Sequence, residues 1–149
     1  MPTDSEVQDA PLAEIDPVTL YRILALRSAV FVVEQDCVYL DLDGRDLEPD
    51  ARLLWIERDG AVVTTLRLLL DDQRTARIGR VATARSARGD RLAAQLMTRA
   101  LELCGERDVV LDAQSYLQQW YAGFGFAPDG PEFLEDGIPH VPMRLTRPS

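Results

Sequence analysis

The chain has 149 residues, of which 46% are hydrophobic and 28% charged, and its formal net charge at pH 7 is −9. This composition is typical of a globular domain and excludes disordered and fibrous classes. The negative charge argues against a general nucleic-acid surface, and no apolar run approaches the roughly 20 residues that cross a bilayer. We therefore expect one domain over residues 1–149, with neither nucleic acid nor membrane as a partner.

Residues 1–14 are acidic and weakly patterned, and they lack the basic and apolar regions of a secretory signal. We therefore expect a cytoplasmic protein, as a monomer or a homodimer. The two cysteines, Cys37 and Cys104, are far apart in sequence and show no spacing typical of a disulfide framework or a metal site. The sequence predicts no bound metal.

The first predicted helix begins after Asp16 and continues to about Val33. Asp16 is a favourable N-cap, and Pro17 suits the first helical position. Arg27 lies on or beside the apolar stripe of this helix. Because a buried guanidinium needs partners, Arg27 should either pair with a carboxylate or face a ligand.

The segment 34–50 is an acidic loop whose carboxylates are opposed only by Arg45. For most of these carboxylates we expect a solvated position. A calcium loop starting at Asp41 is rejected because Arg52 stands where such a loop needs a glutamate.

A hairpin follows, with strands over 53–58 and 61–70 joined by Asp59-Gly60, a strong type I′ turn signal. The pattern then predicts a strand over 78–82, a helix from about Arg91 to Arg107, and a buried strand over 109–113. This order is typical of a βαβ unit with a right-handed crossover, in which 78–82 and 109–113 are parallel neighbours.

The C-terminal part is predicted to contain a short helix and two strands. Ser115 can cap a helix from Tyr116 to about Phe124, which ends at Gly125, and Phe126 begins a strand. A loop over 128–139 precedes a final strand over 140–146. Pro142 in that strand favours an edge or a bulge.

Three arginines, Arg85, Arg88 and Arg91, crowd the turn before the central helix. The first turn of a helix has unpaired N–H groups and the positive end of the helix dipole, so it can hold an anion. The arginines can add bidentate phosphate contacts. On local chemistry alone, an ordinary strand-to-helix connection with solvated arginines explains the turn equally well.

Two motifs resemble the signatures of GCN5-related N-acetyltransferases. Arg88-Gly-Asp-Arg-Leu-Ala93 is similar to their pyrophosphate loop, although Arg91 stands where the family usually has its first glycine. Gln114, followed by Tyr121 and Gly125-Phe126, is similar to their second signature, with glutamine in place of the common asparagine. The segments 27–35, 41–44 and 135–140 look like those of the ElaA-like branch.

The resemblance implies an α/β (α+β) fold with a central mixed, mostly antiparallel sheet of about six to seven strands. The sheet would splay open between its two parallel strands, with helices on both faces. Acetyl-CoA would be the cosubstrate in the gap. The implied cofactor-binding residues are Val81, Ala82, Thr83, Arg88, Gly89, Asp90, Arg91, Leu92, Ala93, Gln114 and Tyr121.

The same resemblance suggests which residues serve the reaction. Tyr121 is the candidate acid for the departing thiolate. A lysine-like acceptor has a pKa of about 10.4 and must lose a proton, at a cost of about 4.6 kcal/mol at pH 7. Glu34, Glu135 and His140 are the candidate bases, and the sequence does not choose among them. Candidate substrate-binding residues are Arg27, Glu34, Gln35, Asp41 and Asp43.

We therefore expect an acetyl-CoA-dependent N-acetyltransferase in which a small, cationic primary amine attacks directly. One alternative is chemistry like that of acyl-homoserine lactone synthases, which the Arg27-x-x-x-Phe31 helix resembles, although their tryptophan-rich N-terminal pattern is absent. Another is a non-catalytic module that binds coenzyme A. Cys37 as an acetyl carrier is disfavoured because no base is evident beside it.

Overall fold

Eight β-strands and three α-helices make up residues 6–148, the part of the chain that the computed structural model describes. The strands are β1 (Val7–Ala10), β2 (Arg52–Arg58), β3 (Ala61–Leu70), β4 (Thr75–Thr83), β5 (Asp108–Gln114), β6 (Ala127–Pro128), β7 (Phe133–Glu135) and β8 (Ile138–Leu145). The helices are α1 (Pro17–Arg27), α2 (Leu92–Cys104) and α3 (Gln118–Ala122). A π-helical segment, Ser28–Glu34, continues α1.

The strands form one sheet in the order β1-β2-β3-β4-β5-β8-β6, and β7 pairs with another part of β8. Only β4 and β5 are parallel neighbours among these strands. The predicted mixed, mostly antiparallel sheet is confirmed. It has one strand more than expected because β7 lies in the segment predicted as a loop over 128–139. The weakly patterned N-terminus contributes β1, and residues 1–5 lie outside the described residues.

Two Asp-Gly pairs form tight hairpin turns. Asp59 and Gly60 have φ values of 54° and 78°, the left-handed pair that a type I′ turn requires, so the predicted β2–β3 hairpin is confirmed. Asp136 and Gly137 have φ values of 51° and 78° and join β7 to β8 in the same way. The prediction of a loop there was wrong, although the same dipeptide signal was present.

The helices cover both faces of the sheet, as expected. In β2, Leu54 and Ile56 pack into the core beneath α2 and α3, whereas Leu53 and Trp55 pack against α1. This division follows from the two-residue alternation of a strand. Within residues 6–148, no helix has the length and apolarity that crossing a membrane requires.

Helix starts were predicted better than helix ends. The Asp16 carboxylate accepts a hydrogen bond from the backbone N–H of Thr19 at 3.1 Å, which confirms the predicted N-cap of α1. Helix α2 ends at Cys104, before the expected Arg107, because Gly105 takes φ 64° there. Ser115 does not cap a helix, because its hydroxyl donates to Glu132 at 2.8 Å.

Pro142 lies in an interior strand whose pairing with β5 has no register shift, so the prediction of an edge or a bulge was wrong. It stands opposite Asp112 of β5, and its carbonyl accepts from the backbone N–H of Asp129 at 2.7 Å. In an antiparallel strand, the nitrogen and the carbonyl oxygen of one residue point to the same side. The Pro142 nitrogen therefore faces away from β5, between the stretches of β8 that pair with β6 and with β7. No ladder hydrogen bond needs a donor at that point.

The single parallel pair opens almost at once. Residues 75–77 of β4 pair with residues 108–110 of β5, and beyond them the two strands separate. Residues 78–83 of β4 consequently have no partner on the β5 side. The predicted splay is confirmed, but the pairing falls before residues 78–82 and not along them.

Candidate active site

A β-bulge bends β4 where it leaves β5. Thr65 of β3 pairs with Ala82, but Arg67 pairs with Gly79, so one extra residue of β4 is accommodated between them. Arg80 takes φ 54° at this point. Because a bulge bends its strand and increases the local twist, this bulge helps to separate residues 78–83 from β5. Unpaired main-chain groups on such an edge are available to an extended ligand.

The separated strands form the floor of a cleft of about 720 Å³. Two groups of residues flank this floor, and their predicted roles give them the names cofactor wall and acceptor wall. The cofactor wall comprises residues 78–94, namely the open edge of β4, the following loop and the start of α2. The acceptor wall comprises residues 30–39 and 135–140.

Most of the predicted cofactor-binding residues line this cleft. They are Val81, Ala82, Thr83, Arg88, Gly89, Arg91, Leu92, Ala93, Gln114 and Tyr121. Asp90 does not line it, because its carboxylate pairs with Arg58 at 2.6 Å outside the cleft. Of the predicted substrate-binding and catalytic residues, Glu34, Gln35 and His140 lie on the acceptor wall.

The loop before α2 is shaped by two left-handed residues. Gly89 has φ 88°, and Arg91 immediately before the helix has φ 62° and ψ 22°. Arg91 therefore adopts the glycine-like conformation despite its Cβ, at a cost of about 1–2 kcal/mol. The helix that follows has 13 residues, and the N–H groups of its first turn have no intrahelical acceptor. This corner of the cleft can hold an anion with main-chain donors.

Glu34 and Arg88, which were predicted to serve different ligands, are bonded to each other. The two guanidinium Nη atoms of Arg88 lie 2.7 Å from the two carboxylate oxygens of Glu34. The Nε of Arg88 donates to the carbonyl of Thr83 at 3.0 Å, and Arg85 approaches Glu34 at 3.6 Å. The hydrogen bond from Arg88 lowers the pKa of Glu34, which makes this carboxylate a weaker base.

His140 is oriented by its own hairpin. Its Nδ1 lies 2.7 Å from the carbonyl oxygen of Ile138, so this nitrogen donates a hydrogen bond, and in the neutral ring Nε2 carries the lone pair. The Nε2 atom is 3.8 Å from a carboxylate oxygen of Glu135, and the ring stacks on Phe133. Of the three candidate bases, Glu34 is held by Arg88, whereas His140 and Glu135 contact no arginine among residues 6–148.

Tyr121 and Gln114 lie where β5 gives way to α3. The Tyr121 side chain is buried between Trp120 and Phe126, and this burial raises the pKa of its phenol, so the hydroxyl remains a proton donor at neutral pH. The Gln114 amide donates to the side-chain oxygen of Gln35 at 3.1 Å. This hydrogen bond links β5 to the acceptor wall.

Cys37 also lines the cleft, but its surroundings favour the thiol. Burial raises its pKa, and the negative charges of Asp136, Asp36 and Glu135 raise it further. A thiolate nucleophile needs the opposite environment, with a lowered pKa. The structure therefore gives no support to an acetyl carrier at this position.

Arg27, Asp41 and Asp43, which were predicted to bind substrate, lie outside the cleft lining in a cluster of ion pairs. The Arg27 side chain is only 1% exposed, with its Nε 3.0 Å from Asp41 and an Nη 2.7 Å from Asp46. The prediction that the acidic loop is mostly solvated was wrong for Asp41 and Asp46, which are buried. Of the two roles considered for Arg27, pairing with a carboxylate and facing a ligand, the structure shows the first.

Two arginines of this cluster, Arg67 and Arg80, were missed in the sequence. Arg67 binds the Asp43 carboxylate through both Nη atoms at 2.8 and 3.1 Å, and Arg80 contacts Asp41 at 2.8 Å. Both also line the cleft. Arg67 interrupts the apolar run of β3, and that interruption was the available signal for a buried charge seeking a partner.

A mixed sheet that opens between two parallel strands beside a helix N-terminus is the fold of N-acetyltransferases. The chain belongs to the acetyltransferase (GNAT) domain family, which matches residues 27–147. It is 48% identical over 134 residues to a UPF0039 protein of Mycobacterium tuberculosis, covering 87% of this chain and 86% of that protein.

Two crystal structures extend this similarity to three dimensions. Escherichia coli ElaA is 41% identical with a TM-score of 0.87, covering 93% of this chain and 97% of ElaA. An acyl-CoA N-acyltransferase from Pseudomonas aeruginosa is 40% identical with a TM-score of 0.88, covering 95% of this chain and 99% of that one. The resemblance to the ElaA-like branch is confirmed.

Proposed function

We propose that the chain is an acetyl-CoA-dependent N-acetyltransferase whose acceptor is a small, cationic primary amine that attacks directly. The open edge of β4 over residues 78–83, which the loop over 84–91 joins to the N-terminus of α2, carries this proposal. An extended arm with amide groups can pair with such an edge as an added strand. A diphosphate at the end of that arm can then meet the free amides of the helix.

The residues of the cofactor wall suit this cosubstrate, which supplies the acetyl group as a thioester. Main-chain groups of Val81, Ala82 and Thr83 are proposed to pair with the arm. The loop from Gly89 and the first turn of α2 would hold the diphosphate. Gln114, whose side chain already donates to Gln35 across the cleft, would bond the arm from the β5 side.

The chemistry is assigned to Tyr121 and His140. The Tyr121 phenol, held protonated by burial, can donate a hydrogen bond to the departing sulfur. The free Nε2 of His140 can accept the proton that the ammonium must lose. Glu135, 3.8 Å from that nitrogen, can stabilise the imidazolium that results. Glu34 is the weaker candidate for the base because Arg88 holds its carboxylate and lowers its pKa.

A cationic acceptor is favoured by the charge of the acceptor wall. Glu135 and Asp136 line the cleft at the tip of the β7–β8 hairpin. Both lie close enough to Cys37 for their negative charges to raise its pKa. An approaching ammonium group would be attracted to the same charges.

The test is an acceptor screen with purified protein and acetyl-CoA. Thiol release is measured for diamines, polyamines, amino sugars and amino acids, with neutral and acidic amines as controls, and product masses are determined. We expect turnover with a cationic amine and a mass gain of one acetyl group. An α-amino acid with a sulfonium leaving group on its γ-carbon is added to test the synthase alternative, since its carboxylate can displace the thioether and close a lactone. Tight coenzyme binding without turnover on any amine would favour a non-catalytic module.

A further inference from the structure

The contact between Glu34 and Arg88 joins the two walls of the cleft. Glu34 is the last residue of the π-helical segment on the acceptor wall, and Arg88 lies in the loop before α2 on the cofactor wall. The two residues are 54 positions apart in the sequence, yet both Nη atoms meet both carboxylate oxygens at 2.7 Å. This is the fork-to-fork geometry in which arginine also binds phosphate.

Three of the five N–H donors of Arg88 are therefore engaged, and neither pair of donors that forms a bidentate fork is free. Its Nε donates to the Thr83 carbonyl, and its two Nη atoms hold Glu34. Arg85 adds a second positive charge at 3.6 Å from the same carboxylate. A diphosphate arriving beside α2 can form a bidentate contact with Arg88 only after the carboxylate of Glu34 has left.

The pair is placed where it can exchange partners. The side chains of Glu34 and Arg88 are 25% and 42% exposed, in contrast to the buried pairs of Arg27 at 1%. Water can therefore solvate each charge as the contact breaks, and exposed pairs of this kind contribute little to stability. A diphosphate carries more negative charge than one carboxylate and also gains the helix amides, so it can displace Glu34.

We propose that Glu34 is an internal competitor of the cofactor phosphates for Arg88, and that cofactor binding releases it. This inference rests on the proposed function. A released Glu34 adds a negative charge to the wall that already carries Glu135 and Asp136. The acceptor ammonium is then attracted by all three carboxylates only after the cofactor is bound, so the cofactor promotes acceptor binding. By linkage, the acceptor promotes cofactor binding to the same extent.

The decisive measurement is the sign of the change in affinity for coenzyme A, determined by calorimetry. If Glu34 competes for Arg88, Glu34→Gln tightens coenzyme A binding severalfold, because the amide holds the guanidinium less strongly. Arg88→Gln weakens binding. In the Arg88→Gln background, Glu34→Gln has no further effect on the affinity for coenzyme A, because the guanidinium for which Glu34 competes is absent. Pantetheine, which lacks phosphates, binds Glu34→Gln and the unmodified protein equally.

Glu135→Gln is the matched control, because it removes one negative charge from the same cleft at a carboxylate that contacts no arginine among the described residues. A similar tightening in Glu135→Gln would mean that general repulsion is responsible and would overturn the proposal. Weaker binding of coenzyme A by Glu34→Gln would also overturn it and make Glu34 a positioning residue for Arg88. Failure of every variant to bind coenzyme A would instead overturn the proposed function.

Two further observations test the release itself. In a crystal structure with coenzyme A, we expect the Glu34 carboxylate to have left Arg88. An intact pair beside a bound diphosphate would contradict the proposal. With an acceptor found by the screen, Glu34→Gln should raise the KM for the amine at saturating acetyl-CoA, and an unchanged KM would exclude Glu34 from acceptor binding.

Discussion

The two walls of the cleft are built by different means. The cofactor wall comes from one continuous stretch, residues 78–94, and offers main-chain groups on a strand edge and at a helix start. The acceptor wall is assembled from side chains of two segments that are about a hundred residues apart. Hydrogen bonds from Arg88 and Gln114 reach the first segment, and the Ile138 carbonyl orients His140 in the second. A main-chain site tolerates side-chain changes that keep the backbone conformation, whereas a side-chain site depends on each partner.

Of the substitutions considered, we expect one in the buried ion cluster of Arg27, Asp41 and Asp46 to lower the stability of the fold most. Arg27→Met removes the cation between Asp41 and Asp46, which are both buried, and leaves their charges only partly compensated by Arg80 and Arg67. Breaking a buried pair in this way costs about 3–5 kcal/mol. We expect the lower end of that range, measured as the free energy of unfolding in urea.

The matched control is Arg45→Met, in a pair that is more than a third exposed on the arginine side. Exposed pairs contribute about 0–1 kcal/mol, so this variant should unfold within about 1 kcal/mol of the parent chain. Equal losses in the two variants would mean that the Arg27 cluster does not hold the acceptor wall in the way its burial indicates.

On the cofactor wall, we expect the largest loss of coenzyme A affinity when Gly89 is replaced by a residue that cannot adopt its backbone conformation. Its φ of 88° is accessible to glycine, whereas proline is fixed near −65° and also lacks an N–H group. Gly89→Pro should weaken coenzyme A binding by roughly 100-fold, with Gly89→Ala intermediate because it strains φ but keeps the amide. Calorimetric affinities for the two variants give the comparison, and equal affinity for proline and glycine would place the diphosphate elsewhere.

The same contrast explains what could be predicted from the sequence. The Asp16 cap and the Asp59-Gly60 turn depend on neighbours within a few residues, so a local pattern was sufficient. The loop around Gly89 was identified by its resemblance to a family motif, because local chemistry alone left two explanations open. The Arg67–Asp43 and Arg88–Glu34 pairs join residues 24 and 54 positions apart. A single sequence shows that a buried arginine needs a carboxylate, but it does not show which of several nearby acidic residues will reach it.

Two errors were of a different kind. The Asp136-Gly137 pair indicated the β7–β8 hairpin, which was missed because β7 has only three residues, all exposed, and lacks the apolar alternation that marked the first hairpin. Ser115 had the right residue type for a cap, but Glu132 competes for its hydroxyl. Local propensity sets what a residue can do, and tertiary contacts decide which option it takes.

Tyr121 tests the chemistry that both walls must serve. Tyr121→Phe removes the phenol donor but keeps the ring packed against Trp120 and Phe126. We expect kcat to fall by roughly 100-fold, the lower end of the range for general acid catalysis, with the affinity for acetyl-CoA changed only a few fold. Steady-state kinetics and calorimetry separate the two quantities. An unchanged kcat would remove Tyr121 from the mechanism.

The smallest expected effect is at Arg91, where the main-chain and side-chain explanations can be separated at one position. Its left-handed conformation costs a residue with a Cβ about 1–2 kcal/mol, and a β-branched residue suffers most. Arg91→Val should therefore lower the free energy of unfolding by about 1 kcal/mol relative to Arg91→Gly. If the wall acts through its backbone, Arg91→Gly keeps coenzyme A affinity within a few fold. A loss as large as that of Arg88→Gln would instead mean that this guanidinium binds phosphate directly, and that the cofactor wall depends on side chains as much as the acceptor wall does.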